Sequence, residues 1–176
     1  MSAPAAAEAT WTRIGEALEG IEHRTSTSSD GMACIHIGRD VVHDALGRLK
    51  TDAHFASVTL VTAVDLHPVE PRFEVQFQLW SLKSGDRVRV KVRVPGDDPT
   101  CPSCVDLWPG ASFFERECFD MFGVVFEGHP DLKRLLMPEG YGHHPLRKEF
   151  PHQGIEPDRL YRKWDEERRS QWKDGQ

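Results

Sequence analysis

The sequence predicts an α+β fold: a two-layer domain in the order helix, two strands, helix, three strands around a mixed sheet, then a short helix and a long extended C-terminal segment. Two observations predict it. Apolar residues recur at helical spacing in two stretches before residue 50. Two later stretches alternate apolar with polar residues on either side of a tight turn. Amphipathic helices and a sheet with one apolar face can then cover one another in two layers.

Met1 to Ala9 is small, Ala-rich and expected to be flexible; residues 10–110 form the globular domain, 111–151 a signature helix and strap, and 152–176 a tail. Trp11, Ile14, Leu18 and Ile21 lie close to the helical period, so a first helix is expected from Thr10 to Glu19, ended by Gly20. Glu22 to Ser28 reads as an exposed edge strand, Asp30-Gly31 as a hairpin turn, and Met32 to Ile37 as the returning strand. Asp40 is a candidate N-cap for a second helix with an apolar stripe of Val41, Val42, Ala45, Leu46 and Leu49. Ala56 to Val64 is apolar and Thr-rich, which suits a central strand covered on both faces. In Arg72 to Leu82, Phe73, Val75, Phe77 and Leu79 point one way while Glu74, Gln76 and Gln78 point the other. Lys83 to Asp86 supplies the turn. In Arg87 to Val94 four valines then oppose Arg87, Arg89, Lys91 and Arg93.

Bulk properties narrow the function. With 28 acidic and 22 basic residues the net charge is -6, which disfavours a general binder of nucleic acid or anionic membranes. No apolar run approaches the roughly 20 residues that span a bilayer, so membrane association is expected only through partners. The first ten residues lack the basic start and apolar centre of a secretory signal. With that start, four cysteines point to a reducing compartment and free thiols.

The most informative stretch is Ser112 to Pro151. Ser112 and Glu115 have capping-box spacing, and Phe114, Cys118, Met121 and Phe122 share one helical face. Glu115, Arg116, Glu117 and Asp120 are expected on the remaining surface, and Gly123 is placed to end the helix in the left-handed conformation. Gly128-His129-Pro130, Met137-Pro138 and His144-Pro145 keep the chain beyond that helix irregular. Its Val124, Val125, Phe126, Leu132, Leu135, Leu136 and Met137 are too apolar for a solvated linker. A strap held against another protein is expected.

Glu115 through Gly123, Phe126 through Leu136 and Gly142 through Lys148 resemble the 30 kDa (C) subunit of the proton-pumping NADH:quinone oxidoreductase, respiratory complex I. Leu66, Glu70 through Val75 and Asp106 through Pro109 resemble it too. Three ordered motifs make the similarity specific, and it covers about the last two-thirds of the chain. It implies a non-catalytic peripheral-arm subunit without a cofactor of its own. NAD, FMN, the iron–sulfur clusters and quinone belong to other subunits. It implies packing beside the quinone-site (D) subunit, at the cytoplasmic face of a bacterial plasma membrane, or the matrix face in an organelle. Glu115, Arg116, Glu117, Asp120, His129, Arg134, Arg147 and Lys148 are the expected partner contacts. Arginine suits bidentate pairing with carboxylates, so charge reversal at Arg134 is expected to weaken docking while leaving the domain folded.

Other readings compete for the same residues. The equivalent subunit of a membrane-bound hydrogenase or F420H2 dehydrogenase would differ only in its electron-input partner. A zinc or redox module could centre on Cys101-Pro102-Ser103-Cys104, a departure from the family pattern. A closed zinc site needs about four ligands, however, and no second C-x-x-C exists. His129, His143, His144 and His152 sit without ligand spacing on a helix. The basic row from Arg87 to Arg93 fits a solvated face pairing with Glu74 better than a nucleic-acid site. In the tail, Leu160, Tyr161 and Trp164 would line one side of a helix beginning at Pro157, anchored on neighbours.

Overall fold

Helix α1 (Ala3–Ala17) opens a computed structural model that describes residues 3–154, 162–163 and 165–170. It begins seven residues before the expected start, because alanine, the best helix former, continues the helix without an apolar stripe. Strands β1 (His23–Thr27) and β2 (Ala33–Ile37) form the expected hairpin. A 3₁₀ turn (Arg39–Val41) leads into α2 (Val42–Thr51). Asp40 lies inside that turn and does not cap α2; the N-cap is Val41, without a side-chain bond. Strands β3 (Ser57–Asp65), β4 (Phe73–Trp80) and β5 (Arg87–Val94) follow, then β6 (Thr100–Pro102), α3 (Ala111–Phe122) and β7 (Val125–Glu127).

The main sheet has the order β1-β2-β5-β4-β3, with β2 and β5 parallel and the other neighbours antiparallel, so it is mixed as expected. The alternating strand β5 holds the centre, whereas β3 lies at an edge with Leu60 and Val64 exposed. This corrects the central placement expected for β3. Its apolar surplus serves α3, which runs against it. The three-residue strands β6 and β7 form a separate parallel pair, too short to show a period in sequence.

One core joins helices and sheet. Phe73, Val75, Phe77 and Leu79 of β4 and Val88, Val90, Val92 and Val94 of β5 are fully buried with Ile14, Leu18, Leu46 and Leu49. Each such side chain contributes about 1.5–3 kcal/mol by leaving water. On the other sheet face Lys91 and Arg93 lie 3.1 and 3.4 Å from the Glu74 carboxylate, the pairing their register predicts. The start of the predicted tail helix, with Leu160, Tyr161 and Trp164, lies outside the described residues.

Candidate partner interface

Helix α3 carries two buried carboxylates, one that orders the loop before it and one that orders the strap after it. Sequence spacing put Glu115 and Asp120 on the surface; both are fully buried. The helix starts at Ala111 with Gly110 as N-cap, so Ser112 is already inside it and no capping box forms. Glu115 instead accepts hydrogen bonds from the backbone N–H of Cys104 (2.7 Å) and the Ser103 hydroxyl (2.6 Å), fixing the loop after β6. Burial raises its pKa, and these two bonds offset the rise only in part.

Asp120 behaves oppositely. One oxygen accepts the N–H groups of Leu135, Leu136 and Met137 at 3.0, 2.6 and 2.8 Å, and the other takes Arg134 Nη1 at 2.7 Å. Burial alone would raise its pKa, but the N–H of Met137, the Arg134 guanidinium and the other two amides hold it below the usual carboxylate range. Three successive amides on one carboxylate form an anion nest from the strap's own backbone. Arg116 donates from the neighbouring turn to the carbonyls of Lys133 and Arg134 at 3.2 and 3.1 Å. His144 Nδ1 stands 3.0 Å from the Asp120 carbonyl, which only accepts, so Nδ1 carries the proton.

A third buried carboxylate, Asp65 at the end of β3, anchors the strap's far end. It accepts Arg72 Nε and Nη2 at 2.9 and 2.7 Å, the His67 N–H at 3.0 Å and the Lys148 N–H at 2.8 Å. Burial would raise its pKa, but Arg72 and the two amides outweigh it and hold the carboxyl well below its ordinary range. Arg72 also pairs with Glu149. Arg147 donates to the Phe122 carbonyl at 2.6 Å and lies over the Phe73 ring. Gly123 closes α3 at φ 77° as expected, and a Cβ there would stand 2.6 Å from His144 Nε2.

Of the eight expected partner contacts, Glu115 and Asp120 are therefore consumed inside the chain. Arg134 belongs with them: its side chain is 13% exposed, and a reversed charge there would face Asp120, so the variant expected to leave the domain folded would free the strap. His129 accepts the Asp131 N–H at Nδ1, which leaves Nε2 to donate toward Ser112. Glu117 and the Lys148 side chain stay on the surface, and Arg116 and Arg147 are part-buried against the strap and the core. Sequence reasoning passed over Asp65, whose signal was a lone acid ending an apolar strand. Beside these groups Phe113, Leu136 and Leu146 are 61, 62 and 53% exposed, apolar surface on rigidly held backbone.

Cys101, Cys104 and Cys118 are free and buried, and desolvation, reinforced by the Glu115 carboxylate, pushes each thiol well up. Such thiols resist becoming the thiolate that metal binding or exchange requires. Among the described residues no three His, Cys, Asp or Glu side chains gather in a metal-holding arrangement. No described helix is long and apolar enough to cross a membrane.

Comparison with known proteins fits this geometry. Residues 35–156 match the family described as "Respiratory-chain NADH dehydrogenase, 30 Kd subunit". The NADH-quinone oxidoreductase C subunit of Roseiflexus castenholzii is 42% identical over 128 residues, 72% of this chain and 74% of that protein. Its namesake in Bartonella tribocorum is 41% identical over 66% of this chain and 58% of its own length. That of Thiobacillus denitrificans is 55% identical over 48% of this chain and 42% of its own. Among solved structures, a trypsin-resistant fragment of Nqo5 superposes with TM-score 0.61 at 32% identity, covering 72% of this chain and 99% of the fragment. A chain of an archaeal membrane-bound sulfane sulfur reductase, a respiratory membrane complex, superposes with TM-score 0.71 at 28% identity, covering 83% of this chain and 86% of its own. The hydrogenase or F420H2-dehydrogenase reading and the zinc or redox reading are not favoured beside these relatives. The chain belongs to the family of respiratory-chain NADH dehydrogenase 30 kDa subunits, the C subunits of the NADH-quinone oxidoreductases.

Proposed function

We propose that this chain is a structural subunit of the peripheral arm of a proton-translocating NADH:quinone oxidoreductase, with no catalytic residue or cofactor of its own. It docks through its strap on the quinone-site (D) subunit and so steadies the quinone-reducing module. NAD, FMN, iron–sulfur clusters and quinone are carried elsewhere in the complex, and the chain joins the membrane at its cytoplasmic face through its partners. The observation that carries this reading is the strap itself: Asp120 and Asp65 immobilise its backbone while Leu136 and Leu146 remain turned to solvent. Pre-ordered apolar surface binds without a large ordering cost. Exposed Glu117 and Lys148 supply the polar rim around it.

The test is a Leu136→Asp/Leu146→Asp chain expressed in its native host and purified from membranes in mild detergent. The domain should melt within a few degrees of wild type, yet the quinone-site partner should no longer co-purify. Co-purification at the wild-type ratio would overturn the assignment of the strap as the docking element.

A further inference from the structure

The outward face of the main sheet is segregated in charge, and the strap plays no part in it. Register places Arg24 of β1, Arg89 and Lys91 of β5, and Glu74 of β4 on this face, with Arg87 and Arg93 at its two ends. Acids outnumber bases 28 to 22 in the whole chain, yet the outward strand positions hold five cations and one acid. The imbalance is thus opposite to composition. Glu74 is already shared by Lys91 and Arg93, and Asp30 in the hairpin turn takes Arg89 at 3.2 Å. Arg24 and Arg87 make no ion pair among the described residues and are exposed. Arg87, Arg89, Lys91 and Arg93 follow one another at every second position of β5, about 7 Å apart, so like charges crowd along that strand.

The side chains of Arg89 and Lys91 are only 20 and 18% exposed, as long cationic stems can be when they cover the surface beside them and keep their charged ends in water. The surface is therefore partly dry before anything docks. At its β3 edge it passes into Leu60 and Val64, apolar and exposed.

We propose that this sheet face is a second docking surface, for an acidic segment of a neighbouring chain of the same complex. Its carboxylates meet the unpaired arginines of β1 and β5, and its apolar side chains cover Leu60 and Val64. A duplex nucleic acid fits less well, because the chain as a whole repels polyanions and only Trp80, at one end, offers an aromatic on this face. The proposal rests on membership of the complex but not on what the strap binds.

The experiment is zero-length carbodiimide coupling in the purified intact complex, which joins a lysine amine to a carboxylate only when the two are in ion-pair contact. Wild type offers Lys91; an Arg93→Lys complex adds a second amine on the face. Cross-linked peptides should join one of these amines to Asp or Glu of another subunit, and Arg24→Glu/Arg87→Glu should lower that yield at least tenfold. Finding only the internal Lys91–Glu74 product in both complexes would overturn the proposal. So would retention of the full-length chain on duplex DNA at physiological salt. Loss of the quinone-site partner from the Leu136→Asp/Leu146→Asp chain reports on the strap alone, so the two readings fail separately.

Discussion

Phe73, Phe77, Leu79 and Val90 keep their places in the sheet domain by leaving water, whereas residues 133–148 keep theirs because Asp120 and Asp65 accept their backbone N–H groups. The first mechanism is spread over many side chains, so losing one lowers the stability of the whole domain rather than releasing one segment. The second is concentrated on two carboxylates whose burial is compensated only while every partner is in place. The lesson is that one chain can hold a domain by area and an appendage by a few charged bonds, and that the two should fail independently.

Breaking the first mechanism gives the largest effect. Phe77→Ala should destabilise the whole domain by about 4 kcal/mol and lower the melting temperature by about 10 °C, read by calorimetry. Asp120→Ala strikes the second. It leaves Arg134 and three amides without their acceptor and should cost about 3 kcal/mol, confined to the strap. Amide exchange of Leu135, Leu136 and Met137 should accelerate by two orders of magnitude while the β4 and β5 amides keep their protection. Equal loss in both regions would abolish the distinction. Gly123→Val should cost about 1–3 kcal/mol, because φ is positive and the new side chain would strike His144, and it should expose the strap to limited proteolysis.

Acid sharpens the contrast between the two carboxylates of α3. Asp120 and Asp65 have lowered pKa values, so their contribution is complete above the unfolded carboxylate range, about pH 4, and is lost as pH falls through the lower folded values. The raised Glu115 has the opposite sign: its proton is bound more tightly in the folded chain, and its contribution falls as pH rises from the ordinary glutamate value toward the raised one. Protection of the Leu135–Met137 amides should therefore fall off in acid before the sheet unfolds. Glu115→Gln, the smallest effect, should shift stability by less than about 1 kcal/mol, because an amide can still accept from Cys104 and donate to Ser103.

The family motif was legible because Glu115 through Gly123 and Gly142 through Lys148 stand in order in the chain. The reason for the motif was not. Asp120 lies 15 residues from the first amide it binds, and Asp65 lies 83 from Lys148, so no local period or spacing links them. The same distance misled the surface placement of Glu115: a carboxylate at capping-box spacing looks exposed until Ser103 and Cys104 arrive from another loop.

Taken alone, the sequence determined the α+β class, the β4–β5 hairpin, the left-handed end of α3 at Gly123 and the family, since all of these depend on neighbours a few residues apart or on residue order. Only the tertiary structure decided that β3 is an edge, that β5 is central, and that Glu115 and Asp120 face inward, the first holding the loop after β6 and the second the strap. Strand order and the partners of a buried charge depend on which distant segments meet. That is settled by packing and by the need to satisfy every buried polar group.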